Sequence, residues 1–233
     1  MGHVTVVGGC RAKAPVTYKA NFSDNTWAQI IDACHKNRVP NTWVVGNSKP
    51  MLIDGAEYQI DIIGKNHDDY ADGSGKAPLT FQLHDCYAQT YGMNNSNTNN
   101  GGWTNCVMRT THLPAILAKM PTEVQNGIRK VTKLTSEGNG SINIKATEDD
   151  LFLLCEEESF GDAVYARSGE GTQYEYYRMG NSTIKNYQGS AAIQWERSPR
   201  GNNETEFCEI AENGTQKALY ASAHNGIAYA FCF

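Results

Sequence analysis

The sequence predicts an α+β domain of short strands, few helices and long polar loops. Only a few segments keep the apolar spacing of a helix, whereas short apolar runs separated by Gly, Asn and Asp recur along the chain. Residues 92–105 and 159–189 are rich in Gly, Asn, Ser and Tyr, which favours loops. No second type of composition appears, so we expect an N-terminal arm over residues 1–22 and one domain over residues 23–233.

The first half of the chain predicts one helix and several strands. A helix is expected after a cap at Ser23 or Asp24, because the apolar side chains from Trp27 to Cys34 keep helical spacing. Three strands follow, with the sequences TWVVG, PMLIDG and EYQIDIIG. Residues 77–91 are apolar, without a period that decides between strand and helix.

The second half predicts two helices and then strands. Helical spacing is present in LPAILAKM and PTEVQNGIRKV, and strands are expected in SINIKA and in DLFLLC, which is apolar enough to be central. The C-terminal segment returns to short strands, with the sequences IQWERS, EFCEIA and AYAFCF. Trp103 and Trp195 are interpreted as internal staples that hold long loops onto the domain.

Charge and hydropathy exclude several classes of protein. The net charge of −5 without a basic run argues against nucleic-acid binding. Apolar runs stay well below the roughly 18 residues of a membrane span, so membrane insertion is not expected. The first residues lack a signal-peptide pattern, which predicts synthesis in a cytoplasm. The acidic runs Glu148–Asp150 and Glu156–Glu158 are interpreted as solvated edges.

Signals for an enzyme are weak. The seven cysteines lack C-x-x-C spacing, which predicts reduced thiols, with a pairing of Cys208 and Cys232 left open. Cys106 and Cys208 are candidate nucleophiles, but no motif joins them to a base. We therefore expect no catalytic residue and no cofactor.

One polar segment offers metal ligands. The sequence IGKNHDDYADGSGK gathers His67, Asp68, Asp69 and Asp72, and hard cations prefer several oxygen ligands from one loop. Asp-Gly-Ser-Gly is also ordinary turn chemistry. A structural turn is the favoured interpretation, with an ion site and a catalytic site as alternatives.

The last forty residues are the most informative. Aromatic and aliphatic anchors recur there among Asn, Ser, Thr, Gln and His. Short polar side chains on an apolar frame are typical of a recognition surface.

Several motifs together resemble a known family. They are TWAQIIDAC, VGNSKPMLIDGAEYQIDIIGKNHDDYADGSGKAPLTFQL, GGWTNCVMR, LPAILAKMP, LFLLCEEESFG, GEGTQYEYY, WERSP and GIAYAFCF. They look like an uncharacterised domain family of phages, prophages and surface proteins of gut bacteria, over about residues 24–233. The family resembles the C-type-lectin fold in its formylglycine-generating-enzyme variant. It is also similar to phage receptor-binding proteins that are diversified by retroelements.

The resemblance implies a buried frame that displays variable residues on one face. The implied frame is Trp195, Arg197, Ser198, Phe207, Gly214, Gly226 and Phe231. The implied displayed residues are Arg200, Asn202, Asn203, Glu204, Thr205, Glu209, Tyr220, Ser222, His224, Asn225 and Tyr229.

The expected function is therefore that of a phage virion surface protein, a head- or tail-fibre adhesin domain that binds a bacterial host. Its expected partners are a bacterial surface glycan or protein, other virion proteins and further copies of itself in a homo-oligomer. The alternatives are a capsid decoration protein without a receptor role, and a formylglycine-type oxidase or glycan-active enzyme.

Overall fold

Strands outnumber helices in the structure. The computed structural model describes residues 16–233. The strands are β1 (Ser48–Ile53), β2 (Ala56–Lys65), β3 (Leu79–Leu83), β4 (Val131–Ser136), β5 (Ile144–Asp149), β6 (Lys185–Tyr187), β7 (Ser190–Ala192), β8 (Gln194–Pro199), β9 (Glu206–Ile210), β10 (Gln216–Tyr220) and β11 (Ala230–Cys232). The helices are α1 (Trp27–His35), α2 (Gly102–Asn105), α3 (Leu113–Leu117), α4 (Thr122–Gly127), α5 (Glu156–Phe160) and α6 (Glu175–Arg178). The fold is thus mixed α/β with open sheets and few helices, as predicted.

The larger sheet joins distant parts of the chain. Its four antiparallel strands lie in the order β1-β2-β3-β11, which places the last strand beside β3. Phe81 of β3 is in register with Ile62 on one side and with Phe231 on the other. All three side chains are fully buried, so this face of the sheet lies at the centre of the core.

The smaller sheet contains the C-terminal segment that is predicted to bind. Its strands lie in the order β10-β9-β8. The pairing of β8 with β9 is interrupted between Trp195 and Pro199. In the interruption, the backbone N–H of Arg197 donates to the Leu154 carbonyl at 2.8 Å instead. The middle of β8 is therefore buried between β9 and the rest of the domain. Two further pairs, β4–β5 and β6–β7, complete the strands.

The core extends toward the N-terminus beyond the predicted boundary. Phe22 is 1% exposed, and its ring lies 5.4 Å from that of Trp43 and 6.2 Å from that of Phe81. Residue 22, predicted to belong to the arm, is thus part of the folded domain. Residues 1–15 of that arm lie outside the described residues, and their role in attachment stays a prediction. Among the described residues, none of the helices has the length and apolar character needed to cross a membrane.

The segment Leu151–Cys155 is buried, but it is not the central strand that DLFLLC predicts. Phe152 and Ala230 exchange two backbone hydrogen bonds of 3.0 and 2.7 Å, which make an isolated bridge. A continuous apolar run indicates burial and does not specify a ladder of backbone hydrogen bonds.

The predicted strand TWVVG is a turn. The side-chain oxygen of Asn47 accepts the backbone N–H of Val44 at 3.0 Å, and Gly46 has a φ of 90°. This left-handed backbone suits glycine and ends any extended run. Val44 is 47% exposed as a result.

Two helix boundaries also differ from the predictions. Helix α1 is capped by Thr26, which forms a capping box with Gln29, while Ser23 and Asp24 lie in a preceding 3-10 turn. The second predicted helix, PTEVQNGIRKV, ends at Gly127, and the chain from Val131 onward is β4.

Candidate functional site

Eight of the eleven displayed residues lie at the surface. Asn202, Glu204, Tyr220 and His224 are exposed, and the other four are half-buried. We call these eight residues the C-terminal face. They are Arg200, Asn202, Asn203, Glu204, Thr205, Tyr220, Ser222 and His224.

The first part of the C-terminal face lies in the turn between β8 and β9, residues 200–205. The backbone N–H of Arg200 donates to the Glu206 carbonyl at 3.0 Å. The side-chain oxygen of Asn203 accepts from the backbone N–H of Thr205 at 2.7 Å and from its hydroxyl at 2.8 Å. Asn203 thus stabilises the turn, while Asn202 and Glu204 face solvent.

The second part follows β10 and lies against the first. The backbone N–H of Ala221 donates to the Thr205 carbonyl at 2.9 Å, and that of Ala223 donates to the Tyr220 carbonyl at 2.9 Å. The Tyr220 side chain is 53% exposed. The two parts therefore make one continuous surface at this end of the small sheet.

The Asn-rich loop, residues 92–105, packs against the inner side of that surface. The sequence did not predict this contact. Asn99 is fully buried, and its side-chain amide donates to the carbonyls of Asn203 (2.7 Å) and Glu206 (2.8 Å). Its backbone N–H donates to the Glu204 carbonyl at 2.8 Å. Asn97 accepts the Ser222 hydroxyl at 2.6 Å. The sequence signalled this role only through the length and polarity of the loop, because long polar loops are usually functional or disordered.

Three of the residues implied to be displayed are buried, and this corrects the prediction for them. Tyr229 is 0% exposed beside Tyr87, and Glu209 is 3% exposed in the middle of β9. Asn225 is 9% exposed, and its backbone forms a bridge with Tyr91. Side chains alternate between the two faces of a strand, but in short strands this alternation does not show which face another part of the chain covers.

The implied frame is almost wholly inside. Six of its members are buried and Gly214 is half-buried. Arg197 is 0% exposed; its guanidinium forms an ion pair with Glu158 and donates to the carbonyls of Leu153 (2.9 Å) and Glu170 (3.0 Å). Trp195 donates its ring N–H to the Tyr91 carbonyl at 2.8 Å, which confirms its role as a staple.

Lys133 extends this ionic network toward the predicted metal ligands. Its amino group lies 2.6 Å from a carboxylate oxygen of Asp68 and 2.6 Å from one of Glu158, and all three side chains are at most 3% exposed. Burial opposes ionisation of Asp68, but Lys133 and the hydrogen bond from Thr80 lower its pKa to about 2. The buried carboxylates therefore already have a cationic partner.

The other acidic candidates are also paired. Asp69 lies 3.0 Å from Lys76, and Asp72 lies 2.6 Å from Arg129. Nitrogen and oxygen atoms of His67, Asp68 and Glu158 do lie within 4.8 Å of one another, but the Lys133 ammonium contacts both carboxylates of that group. The segment from residue 67 to residue 72 is best described as a turn fixed by ion pairs.

The acidic run at the start of α5 is not the solvated edge that the sequence predicts. Glu156 accepts the backbone N–H groups of Tyr165 (2.9 Å) and Ala166 (2.7 Å). Glu157 accepts three consecutive backbone N–H groups of residues 169–171, at 2.7 to 3.0 Å. Each carboxylate thus fixes a different part of the long loop after α5. Consecutive backbone N–H groups commonly bind an anion in this way.

A cleft of about 240 Å³ lies at the edge of the C-terminal face and shares Arg200 and Asn202 with it. It is lined by residues 164–167 of the loop after α5 and by residues 200–202 of the turn. The Arg200 guanidinium lies over the Tyr165 ring, 5.5 Å from its centre, and forms an ion pair with Glu206 at 2.5 Å. The backbone N–H of Gly201 donates to the Tyr165 carbonyl at 2.8 Å, which fixes the two walls relative to each other.

Comparison with known proteins gives one match. A family model described as a domain of unknown function (DUF6273) matches residues 80–233. The chain belongs to the DUF6273 family. No curated protein and no solved structure matches it. The DUF6273 match contains the whole C-terminal face and begins inside β3, so β1 and β2 complete its larger sheet from outside the matched region.

Proposed function

We propose that this DUF6273 protein is a recognition module on the surface of a phage virion. It binds a glycan or protein of the bacterial host surface through the C-terminal face. The observation that carries the proposal is the division of the last forty residues between a buried frame, fixed by the ion pair of Arg197 with Glu158, and a continuous polar surface. A stiff frame lowers the entropic cost of holding polar side chains ready for a partner.

The fold that we propose for this module is C-type-lectin-like, in the formylglycine-generating-enzyme variant. The short antiparallel sheet β8–β9–β10, with long loops around it, supports this assignment. The virion location and the contacts with other virion proteins that we propose both rest on the sequence resemblance. A homo-oligomer suits the function, because repeated display raises the avidity of a shallow polar surface.

The buried thiols favour binding over cysteine chemistry. Burial raises the pKa of the Cys106 thiol to about 12 and that of Cys208 well above its usual range. A nucleophilic cysteine needs the opposite, an accessible thiol with a lowered pKa. The six cysteines in the described part of the chain, Cys208 and Cys232 included, are free thiols.

Adsorption to host cells tests the proposal. The triple variant Asn202→Ala, Tyr220→Ala and His224→Ala removes three exposed side chains that form no side-chain hydrogen bond within the described residues. We expect it to lose adsorption while its melting temperature stays within about 5 °C of the wild-type value, because each exposed substitution changes stability little.

The control is Leu52→Ala, which removes an exposed side chain of β1 in the other sheet. It should adsorb like the wild type. Unchanged adsorption of the triple variant would refute the role of the C-terminal face. Attachment of the wild type to the capsid without any binding to cells would indicate a decoration protein instead.

A further inference from the structure

The cleft beside the C-terminal face has a distinctive charge. Two charged residues line it, Arg167 and Arg200, and both are positive. Among the described residues, no Asp or Glu lines it. A concave surface with guanidinium groups and no lining carboxylate attracts negative charge.

Arg167 brings a positive charge that is not neutralised nearby. Its Nε donates to the Ser141 carbonyl at 3.3 Å, and one terminal nitrogen donates to the Gly140 carbonyl at 3.0 Å. Within residues 16–233 it has no carboxylate partner. Neutral carbonyls therefore fix the guanidinium in place and leave its charge available.

Arg200 brings an unused hydrogen-bond donor. Glu206 binds one terminal nitrogen, and the guanidinium lies over the Tyr165 ring. Its Nε is buried, without a hydrogen-bond partner among the described residues. A buried N–H without an acceptor is unfavourable, so a shift of the Arg200 side chain that brings this N–H to an oxyanion in the cleft would relieve that cost.

Gly201 leaves room for the Arg167 side chain. A Cβ atom at this position would lie 3.0 Å from both Cδ and Nε of Arg167. The glycine thus lets the Arg167 side chain lie directly against the backbone of the turn that carries Arg200. None of the described acidic residues near the cleft lines it. Glu206 is paired with Arg200, Glu156 is bound by backbone N–H groups below the loop, and Asp162 accepts from Gln216 at 2.8 Å.

We propose that this cleft binds an anionic group of the surface ligand, a carboxylate or a phosphate ester. This inference rests on the proposed function and specifies the chemistry of its ligand. Guanidinium groups bind both oxyanions through paired N–H donors, which an ammonium group does not match.

The test is calorimetric titration of the full chain with three polymers. Poly(glycerol phosphate) supplies phosphate esters, polygalacturonate supplies carboxylates, and dextran is the neutral control. We expect binding to one of the polyanions and none to dextran, and weaker binding at higher salt, because ions screen exposed charges. The polymer that binds identifies the source of the anion. Failure of both polyanions to bind, or equal binding of dextran, would overturn the inference.

Two variants locate the interaction. Arg167→Gln removes a charge that is in no ion pair of the described chain, and we expect about tenfold weaker binding. Gly201→Ala keeps both charges but shifts the Arg167 side chain by a few tenths of an ångström, so it should weaken binding less than Arg167→Gln does. Arg178→Gln, which removes an exposed arginine of α6, is the matched control and should bind like the wild type. Thermal melting checks that each variant is folded.

Adsorption to host cells separates the two proposals. If the triple variant of the C-terminal face loses adsorption and Arg167→Gln keeps it fully, the face is a recognition surface and the anion site is wrong. If Arg167→Gln and the double variant Tyr220→Ala and His224→Ala, which leaves the lining of the cleft intact, both lose adsorption while Arg178→Gln retains it, both proposals are supported. If the triple variant adsorbs normally, the proposed function itself fails.

Discussion

Arg197 stabilises the buried frame through its guanidinium group. It joins β8 to the segments that contain Leu153, Glu158 and Glu170. We expect Arg197→Met to reduce the free energy of unfolding by about 3–5 kcal/mol, because it leaves Glu158 buried with one cation fewer. Urea unfolding measures the loss. A loss below about 1 kcal/mol would show that Lys133 alone compensates the charge of Glu158.

Asn99 has a comparable role for the C-terminal face. Asn99→Ala removes the side-chain donors to Asn203 and Glu206 and the acceptor for the Asn139 N–H at 2.7 Å. We expect a loss of about 1–3 kcal/mol in the free energy of unfolding, with faster amide exchange across residues 200–206. Asn95→Ala, at an exposed position of the same loop, should change neither quantity. Equal effects of the two substitutions would contradict the supporting role of Asn99.

At the scale of elements, the loop between β4 and β5 contacts the Asn-rich loop through a glycine. Gly138 and Gly140 both have a left-handed backbone, with φ of 71° and 73°. A Cβ atom on Gly138 would lie 1.9 Å from the Asn99 carbonyl oxygen, whereas one on Gly140 would meet no atom within 4 Å. We expect Gly140→Ala to cost about 1–2 kcal/mol from backbone strain alone. Gly138→Ala should cost clearly more in thermal or urea unfolding, and equal costs would contradict this packing.

Some elements could be predicted from the sequence and others could not. The helical spacing of α1 and the short apolar runs of β8, β9 and β11 are local, so the sequence alone located them, whereas β10 was not predicted. Leu151–Cys155 was correctly expected to be buried, but whether it pairs depends on a distant segment, at Ala230. The same limit applies to Tyr229 and Glu209, which are polar at their tips and buried because other parts of the chain cover them. The support from Asn99 joins residues more than a hundred positions apart, which no local pattern reports.

At the scale of the whole molecule, buried carboxyl groups set a pH dependence. Burial raises the pKa of Glu170 from 4.5 to about 7, and that of Glu209 also to about 7. Between pH 4.5 and 7 each group holds more protons in the folded than in the unfolded state. Their contribution to the free energy of unfolding therefore decreases as the pH rises through this range, and it levels off above it.

The variant Glu170→Gln isolates one of these contributions. Glutamine retains an acceptor for the Ser136 N–H but cannot ionise. The free energy of unfolding, measured with urea, should decrease between pH 5 and pH 8 in the wild type. In the variant this decrease should be smaller by about 1–3 kcal/mol. Asp68, with a pKa of about 2, does not titrate in this range. Parallel pH profiles for the two proteins would contradict the assignment.

Hydrogen–deuterium exchange of the full chain tests the central claim most directly. The comparison is between the free protein and the protein incubated with a purified cell-wall fraction of the host. We predict slower exchange in residues 93–99, 200–206 and 220–225, where the face and its supporting loop lie, and unchanged exchange in the hairpin of residues 48–65. Protection of that hairpin with none at the C-terminal face would contradict the account.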